Sequence, residues 1–331
     1  MKTRKPLASI SATARFLPDN VLTNADLERM VDTSDAWIRE RTGILERRIA
    51  PPEMGVVEMG ERAAQRALKK AGLTPADVDV LIVTTATPDR LLPATACEIQ
   101  AAIGASRGCY AYDLQAACTG FLYALSAAEG HIAAGQAETV LLVATEKMSV
   151  ITNWEDRSSC ILFGDGAGAA VVQPSRNGEG MLSSHHSSNG DLAPLLIRRA
   201  GGGALPLTPE RLHNQEHMME MSGPEIFKAA VKSMAGAGRK VMKEAGVTAD
   251  DIDILVPHQA NIRIIESTAR YARIPMDRVF VNLQHYGNIS SATIPVGLDE
   301  AIEEGRIEPG SVVLMTAFGA GLTWGATLVR W

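Results

Sequence analysis

Aromatic residues are scarce in this chain, at 5% of its 331 residues, although 46% of the residues are hydrophobic. Aliphatic side chains and 29 glycines must therefore supply the packing, which is typical of a tightly packed α/β protein. No stretch approaches the roughly 18 uninterrupted apolar residues of a membrane helix, so we expect no membrane span. The chain is longer than one hydrophobic core usually supports, which predicts two domains or two fused halves.

Cysteine is also rare. The four cysteines (Cys97, Cys109, Cys118 and Cys160) contain no C-x-x-C pair and no metal-ligand spacing. Scattered cysteines in a chain of this length favour a reducing compartment over a disulfide scaffold. The net charge of −6 argues against a nucleic-acid partner, which would need a basic surface. The basic first residues lack the apolar segment of a signal peptide, so the cytoplasm is the expected location.

Short apolar runs alternate with helical patterns along the chain. The expected strands are Val80–Val83, Val140–Ala144, Ala169–Val172, Ile252–Val256 and Val312–Thr316. Between them, apolar residues recur at helical spacing, as in the segment 59–71, and predict helices with one buried face. Such alternation predicts helices that cover a mostly parallel sheet.

Parts of the sequence occur twice. Residues 71–83 match residues 245–257 at six of thirteen positions, and most of the mismatches exchange Val, Ile and Leu. The motif Phe163-Gly-Asp-Gly-Ala-Gly168 has a shorter counterpart in Phe318-Gly-Ala-Gly321. Matches in the same order predict two homologous halves that pack about a pseudo-two-fold axis.

The two halves are expected over residues 1–174 and 175–331. Within them, Cys118 lies 17 residues before Gly135, and Asn288 lies 17 residues before Gly305. This equal spacing predicts that the two residues are equivalent and that their loops meet at one place.

Two polar segments, 183–190 and 198–203, bracket a polar stretch that runs to about Met218. The stretch is interpreted equally well as a mobile flap over an entrance or as an ordinary surface loop.

Cys118 is the candidate nucleophile. A strand is expected over Cys109–Leu114, and apolar residues from Phe121 to Ile132 mark the buried face of the following helix. Cys118 is then expected at a helix N-terminus, where free N–H groups and the helix dipole favour a thiolate. A buried structural cysteine is the ordinary alternative for any cysteine considered alone.

Two polar residues of the second half complete a catalytic set. His258 directly follows the second copy of the repeated strand, and a polar cluster there would be costly as part of a core. The carboxyl ends of strands are also where open α/β sheets place their sites. With Asn288, the chain has a Cys–His–Asn set of the kind that also serves papain-like hydrolases in the same order. Those hydrolases usually carry disulfides, and a non-catalytic partner subunit would not need all three groups.

Seven segments together resemble β-ketoacyl-acyl-carrier-protein synthase III, the chain-initiating ketosynthase of bacterial fatty acid synthesis in the thiolase superfamily. The resemblance extends nearly from end to end. The matching segments are Asn24-Ala-Asp-Leu27, Asp32–Ile44, Ala116-Ala-Cys-Thr-Gly-Phe121, Phe163–Gly168, Pro257-His-Gln-Ala-Asn261, Gly287-Asn288 and Phe318–Gly325.

The resemblance implies a thiolase-like duplicated α/β fold with five layers in the order α-β-α-β-α. It implies a homodimer that needs no cofactor or metal and uses coenzyme A thioesters as substrates. The implied reaction is the decarboxylative condensation of an acyl-coenzyme A, with acetyl-coenzyme A the expected primer, with malonyl-acyl-carrier protein. A related condensing enzyme of polyketide, alkylquinolone or long-chain lipid assembly would share every catalytic residue.

Roles for the catalytic residues follow from the same resemblance. Cys118 would accept the acyl group, while the backbone N–H groups of Cys118 and Ala320 hold the oxyanion. Many relatives have glycine where Ala320 lies, and alanine is acceptable because only the amide is used. His258 and Asn288 would donate N–H groups to the malonyl thioester oxygen as it becomes an enolate, and Phe318 would form an apolar wall near the departing carboxylate.

The resemblance also implies binding residues. Trp37 would stack on the adenine of coenzyme A, and Arg157 would cover the other face of the base. Leu92 would reach across the dimer interface to close the partner's acyl pocket; some relatives have phenylalanine there, so longer or branched primers are a hypothesis. The full set for the coenzyme A tunnel is Thr33, Trp37, Arg41, Arg157, Gly223 and Asn261. The expected docking patch for the acidic carrier protein is Lys228, Lys232, Arg263 and Arg270, for which an ordinary solvated helix face is the alternative.

Overall fold

The computed structural model of the protein describes residues 5–331. The strands up to residue 174 are β1 Ala8–Phe16, β2 Val21–Thr23, β3 Glu46–Arg48, β4 Val80–Thr84, β5 Tyr110–Asp113, β6 Val140–Lys147 and β7 Asp165–Pro174. The later strands are β8 Gly180–Ser188, β9 Leu196–Arg198, β10 Met219–Met221, β11 Ile254–Pro257, β12 Val312–Gly319 and β13 Thr323–Arg330. The helices are α1 Asn24–Glu28, α2 Asp35–Thr42, α3 Val56–Ala71, α4 Thr95–Ile103, α5 Gly120–Ala133, α6 Pro209–His213, α7 Gly223–Ala245, α8 Ile262–Ala272, α9 Leu283–Tyr286 and α10 Thr293–Glu303.

Two sheets with corresponding strand orders form the centre of the molecule. The first has the order β1-β7-β6-β4-β5, and the second has the order β8-β13-β12-β11. Val279 makes a parallel bridge to Leu255 of β11, at the place that β5 takes in the first sheet. The duplication expected from the repeated segments is therefore present in the topology.

Both sheets are mixed, so the expectation of a mostly parallel sheet is wrong. β4 pairs in parallel with β5 and β6, and β11 pairs in parallel with β12. The remaining pairings are antiparallel because β7 and β13 return directly beside the strands that precede them. An antiparallel neighbour needs no crossover helix, and the alternation of apolar runs does not distinguish the two connections.

The repeated segments 71–83 and 245–257 adopt the same local structure. Gly72 and Gly246 end α3 and α7 in the left-handed region, with φ of 70° and 72°. Thr74 and Thr248 each open a short 3₁₀ turn, and an aspartate three residues later completes a capping box. The carboxylate of each aspartate accepts the backbone N–H and the hydroxyl of its threonine, which explains how a Thr-x-x-Asp sequence sets the entry to β4 and to β11.

Helices cover both sheets and also separate them. α3 and α4 pack on the outer face of the first sheet, and α7 packs on the second with α8 beside it. α5 and α10 lie between the two sheets, where Phe121 and Leu125 meet Ile294 and Leu298 in one core. The layers are thus α-β-α-β-α, as expected. The predicted boundary at residue 174 falls between β7 and β8, and it stays a prediction.

The two central helices begin at matching elbows. Each elbow is a 3₁₀ turn, Ala117–Thr119 or Ser290–Ala292, whose first residue has a positive φ of 47° or 50°. The helix α5 has 14 residues, whereas α10 has 11. An equal count back from Gly135 and from Gly305 therefore reaches positions that are not equivalent in the two elbows. The residue equivalent to Cys118 is therefore Ser291, and the predicted equivalence of Cys118 and Asn288 is wrong.

The polar segment that begins at Ser183 is not a loop. Residues up to Ser188 belong to β8, whose backbone pairs with β13. The excursion from the fold spans residues 189–221 and contains β9, α6 and β10. No helix within residues 5–331 is long and apolar enough to cross a membrane.

Candidate active site

Cys118 lies in the elbow between β5 and α5. The strand β5 spans Tyr110–Asp113 and is shorter than expected. Ala117 has a φ of 47°, a region that residues with a Cβ rarely adopt. The turn directs the thiol toward the second half of the chain, where Cys118 Sγ lies 3.5 Å from the hydroxyl oxygen of Ser290. The predicted position at the start of a helix is the observed one.

The electrostatic surroundings of the Cys118 thiol differ from the expectation. Burial raises the pKa of the thiol to about 12, and the nearby Glu146 carboxylate raises it further, against a lowering contact with Ser290. In the free site, desolvation therefore opposes the thiolate that the helix start was expected to favour.

The turn after β12 lies directly against Cys118. A Cβ built on Gly319 would be 2.7 Å from the backbone nitrogen of Cys118, so only glycine fits there. Ala320 follows in the turn to β13, and the hydroxyl group of Thr323 donates to its carbonyl oxygen at 3.1 Å. The N–H groups of Cys118 and Ala320 donate to no other residue within the described chain, so both are available to an oxyanion.

His258 follows β11 and is held from two sides. Its backbone N–H donates to the carbonyl oxygen of Thr316 at 2.8 Å, and its Nδ1 lies 2.7 Å from Thr293 Oγ1. Burial lowers the pKa of the imidazole to about 3, so the ring is neutral near pH 7. Nε2 makes no hydrogen bond to residues 5–331 and is the nitrogen left for a ligand.

Asn288 is fixed so that its amide nitrogen remains free. Its backbone N–H donates to the carbonyl oxygen of Leu162 at 2.8 Å, and its carbonyl oxygen accepts from the N–H of Gly164 at 3.2 Å. In the side chain, Oδ1 accepts the N–H of Ser290 at 2.9 Å. Because Oδ1 is occupied, Nδ2 is the end of the carboxamide that can donate to a ligand.

One cavity of about 560 Å³ joins these groups, a volume typical of ligand sites. Cys118, His258 and Asn288 all line it, and so do Ala320 and the buried Phe318. The excursion 189–221 forms one wall through Leu196, Ile197, Arg198, Met219 and Met221. The polar stretch therefore contributes to the cavity wall, and its role as a mobile flap stays a prediction.

The predicted coenzyme A residues fall into two groups. Trp37, Arg41 and Arg157 form a cluster in which the two guanidinium carbons lie 5.5 and 5.1 Å from the centre of the Trp37 ring. Arg157 would have to move aside for a purine to stack between it and Trp37. This cation–π cluster adjoins the cavity, because Asn261 Nδ2 donates to the carbonyl oxygen of Arg41 at 2.9 Å.

Asn261 and Gly223 line the cavity itself. Asn261 also caps α8, where its Oδ1 accepts the N–H of Arg263 at 2.9 Å, so part of its amide is already used. The hydroxyl group of Thr33 is buried without a partner among the described residues, and Thr33 does not line the cavity.

The remaining predicted residues lie outside the cavity. Leu92 is 85% exposed beside the equally exposed Leu91, and it does not line the cavity of its own chain. The four basic docking candidates are exposed on the adjoining helices α7 and α8, and none of them forms an ion pair with a described residue. These four are Lys228, Lys232, Arg263 and Arg270.

Three residues near the cavity were missed at the level of sequence. Ser290 and Thr293 contact Cys118 and His258 as described above. Glu146 is buried, with Oε1 accepting from Ser291 Oγ at 2.7 Å and Oε2 accepting from the Ala86 N–H at 2.9 Å. Glu146 ends the apolar run of β6, which is the same signal that identified His258 after β11.

Comparison with known proteins agrees with this geometry. Residues 112–190 match the family model of 3-oxoacyl-[acyl-carrier-protein] synthase III, and residues 242–331 match the model of its C-terminal part. β-Ketoacyl-[acyl-carrier-protein] synthase III of Roseiflexus sp. strain RS-1 is 49% identical over 98% of each chain.

Solved structures give the same result. The crystal structure of 3-oxoacyl-[acyl-carrier-protein] synthase III from Aquifex aeolicus VF5 covers 98% of this chain and 100% of its own, with a TM-score of 0.91 and 46% identity. The priming β-ketosynthase of the R1128 polyketide pathway covers 100% of this chain and 98% of its own, with a TM-score of 0.90 at 32% identity. The chain therefore belongs to the β-ketoacyl-acyl-carrier-protein synthase III family of acyltransferase-type condensing enzymes, which have the thiolase fold.

Proposed function

We propose that this protein initiates fatty acid synthesis by condensing an acyl-coenzyme A, with acetyl-coenzyme A the expected primer, with malonyl-acyl-carrier protein. The products are a 3-ketoacyl-acyl-carrier protein, carbon dioxide and coenzyme A. The observation that carries the proposal is the pair of free nitrogen atoms, Nε2 of His258 and Nδ2 of Asn288, on the cavity that Cys118 also lines. Because burial lowers the pKa of His258 to about 3, the ring is a weak base for activating water, and it suits the role of a neutral donor to an enolate better.

In the first half-reaction the sulfur of Cys118 attacks the thioester carbon of the acyl-coenzyme A. The backbone N–H groups of Cys118 and Ala320 would donate to the oxyanion that develops, which is the usual function of such a pair. Collapse of the tetrahedral intermediate breaks the bond to coenzyme A. The proton that leaves Cys118 ends on the sulfur of coenzyme A, so the exchange of thioesters is balanced.

In the second half-reaction the malonyl group loses carbon dioxide, and its thioester oxygen gains the charge of an enolate. His258 and Asn288 would donate their free N–H groups to this oxygen. A neutral imidazole is suited to this role, since an imidazolium would hold the enolate too tightly for it to attack. Phe318 would face the departing carboxylate, and an apolar surface there favours release of uncharged carbon dioxide. The enolate carbon then attacks the acyl group, and Cys118 leaves as a thiolate and regains a proton.

Substrate binding is proposed from the exposed groups around the cavity. Arg41, Arg157 and Trp37 would bind the phosphates and adenine of coenzyme A, with Thr33, Gly223 and Asn261 along the arm. An acidic carrier protein would dock on the unpaired basic residues of α7 and α8. We propose a homodimer in which the exposed Leu92 closes the acyl pocket of the partner. Every step uses thioester chemistry that the substrates supply, so no bound cofactor is part of the proposal.

Mass spectrometry of the intact protein tests the proposal. The protein is exposed to a panel of acyl-coenzyme A thioesters and then to malonyl-acyl-carrier protein. We expect one acyl adduct that maps to Cys118 and that malonyl-carrier protein converts to a 3-ketoacyl product. The exposed Cys97 provides the internal control for unspecific acylation. Hydrolysis of the thioester without condensation would contradict the proposal, and acceptance of long primers only would favour the related lipid-assembly enzymes.

A further inference from the structure

Thr293, the first residue of α10, has a buried hydroxyl group between two possible partners. Its Oγ1 lies 2.7 Å from Nδ1 of His258 and 3.0 Å from the carbonyl oxygen of Ser290. The hydroxyl carries one proton and can donate to only one of them. The carbonyl group can only accept, whereas Nδ1 donates or accepts according to the tautomer of the ring. The direction of the Thr293–His258 bond thus decides which nitrogen of His258 carries the proton.

The carbonyl group of Ser290 does not require the hydroxyl proton. It already accepts the backbone N–H of Thr293 at the end of the 3₁₀ turn. Thr293 can therefore donate to Nδ1 without leaving a buried acceptor unsatisfied. When Nδ1 accepts, the single proton of a neutral imidazole lies on Nε2. Because His258 lines the cavity, this N–H is then available to a ligand.

We propose that Thr293 is a positioning residue whose hydroxyl group donates to Nδ1 of His258 and holds the imidazole in the tautomer with an Nε2–H. This inference rests on the proposed function, in which that N–H donates to the malonyl thioester oxygen. In the opposite tautomer Nε2 would present a lone pair to the enolate oxygen and repel it. The site therefore suits a substrate on which negative charge develops at an oxygen next to His258.

Asn288 is oriented from the same turn. The N–H of Ser290 occupies Oδ1 of Asn288, as Thr293 Oγ1 occupies Nδ1 of His258. The segment Ser290–Thr293 therefore sets both donors with their N–H groups toward the cavity. The oxyanion groups of Cys118 and Ala320 are backbone amides and do not depend on Thr293, so only the condensation step should respond to its hydroxyl.

The test compares Thr293→Val, which removes the hydroxyl and keeps the shape, with Thr293→Ser, which keeps it. Thr145→Val is the matched control, because the buried hydroxyl of Thr145 donates to the carbonyl of Val56 at 2.8 Å and Thr145 does not line the cavity. Each protein is first acylated at Cys118, and single-turnover condensation with malonyl-carrier protein is then measured. We expect Thr293→Val to lose about 10-fold in the condensation rate with unchanged acylation, since a disordered tautomer weakens one enolate donor. Thr293→Ser should restore the rate, and Thr145→Val should match the parent.

A spectroscopic measurement on the parent protein determines the tautomer directly, so it does not depend on how the Thr293 variants fold. Nitrogen-15 NMR of histidine-labelled parent protein, assigned with a His258 variant, reports which ring nitrogen is protonated. A protonated Nε2 and an unprotonated Nδ1 are expected. A proton on Nδ1, or condensation by Thr293→Val at the parent rate, would overturn the inference. If the parent itself fails to acylate Cys118 or to condense, the proposed function fails instead, before any variant is compared.

Discussion

Gly319 and Cys118 are in backbone contact across the two halves of the chain: a Cβ on Gly319 would lie 2.7 Å from the nitrogen of Cys118. The contact brings the turn after β12 beside the elbow that carries the nucleophile. The second oxyanion donor, the N–H of Ala320, follows Gly319 directly. The spacing of the two donors thus depends on a residue without a side chain.

Replacement of Gly319 by alanine should damage the first half-reaction. The added methyl group meets the Cys118 backbone, which must shift and separate the N–H groups of Cys118 and Ala320. Loss of one oxyanion donor costs about 10² to 10³ in rate, and we expect acylation to slow by about 10²-fold. The rate of adduct formation measured by intact mass checks this. Gly236→Ala in α7, where a Cβ meets nothing within 4 Å, is the control. Equal acylation rates for both variants would contradict the expectation.

Asn288→Asp should separate the two half-reactions. The aspartate retains an oxygen that can accept the N–H of Ser290, but it replaces the free amide nitrogen by an acceptor. Acylation at Cys118 should persist, and condensation should fall by at least about 10²-fold because one enolate donor is lost. Acylation and condensation are measured on the same preparation. Near-normal condensation would remove Asn288 from the proposed mechanism.

The local repeats predicted much of this architecture correctly. The Thr-x-x-Asp turns before β4 and β11 form through contacts between near neighbours, so the same residues produced the same structure twice. The elbow at Cys118 followed from a strand and a helix with a clear apolar face. His258 was likewise identified from a local pattern, a polar residue directly after a buried strand.

Other features depend on contacts between distant residues and had no local signal. α10 has 11 residues and α5 has 14, although the two helices begin at the same kind of elbow. Nothing in the spacing of Asn288 indicates that difference. The raised pKa of Cys118 likewise results from burial and from Glu146, which lies on a different strand. The antiparallel return of β7 could not be inferred from its apolar residues.

Reactivity of Cys118 should follow the raised pKa of its thiol. With a pKa of about 12, the thiolate fraction is small at neutral pH and increases with every unit of pH up to that value. We expect alkylation of Cys118 by iodoacetamide to accelerate about 10-fold per pH unit between pH 7 and 9, because the thiolate is the reactive form. Peptide mapping separates the Cys118 adduct from that of the exposed Cys97. A rate that levels off near neutral pH would show a thiolate and contradict this prediction.

Burial of His258 should make the protein less stable in acid. Its pKa is about 3 in the folded protein, below the ordinary value of 6.5, so between these values the unfolded state binds a proton that the folded state does not. The stabilisation from a neutral His258 is complete above pH 6.5, and it is lost as the pH falls toward 3. The free energy of unfolding should therefore decrease by about 1.4 kcal/mol for each pH unit of acidification from this group alone.

Urea denaturation between pH 4.5 and 7.5 should show a shallower dependence of the unfolding free energy on pH for His258→Gln than for the parent. His186, whose pKa burial lowers to about 4, is present in both proteins, so their difference isolates His258. His285→Gln removes an exposed imidazole and is the matched control. Identical slopes for His258→Gln and the parent would mean that His258 is not held neutral, and the neutral enolate donor would then be lost with it.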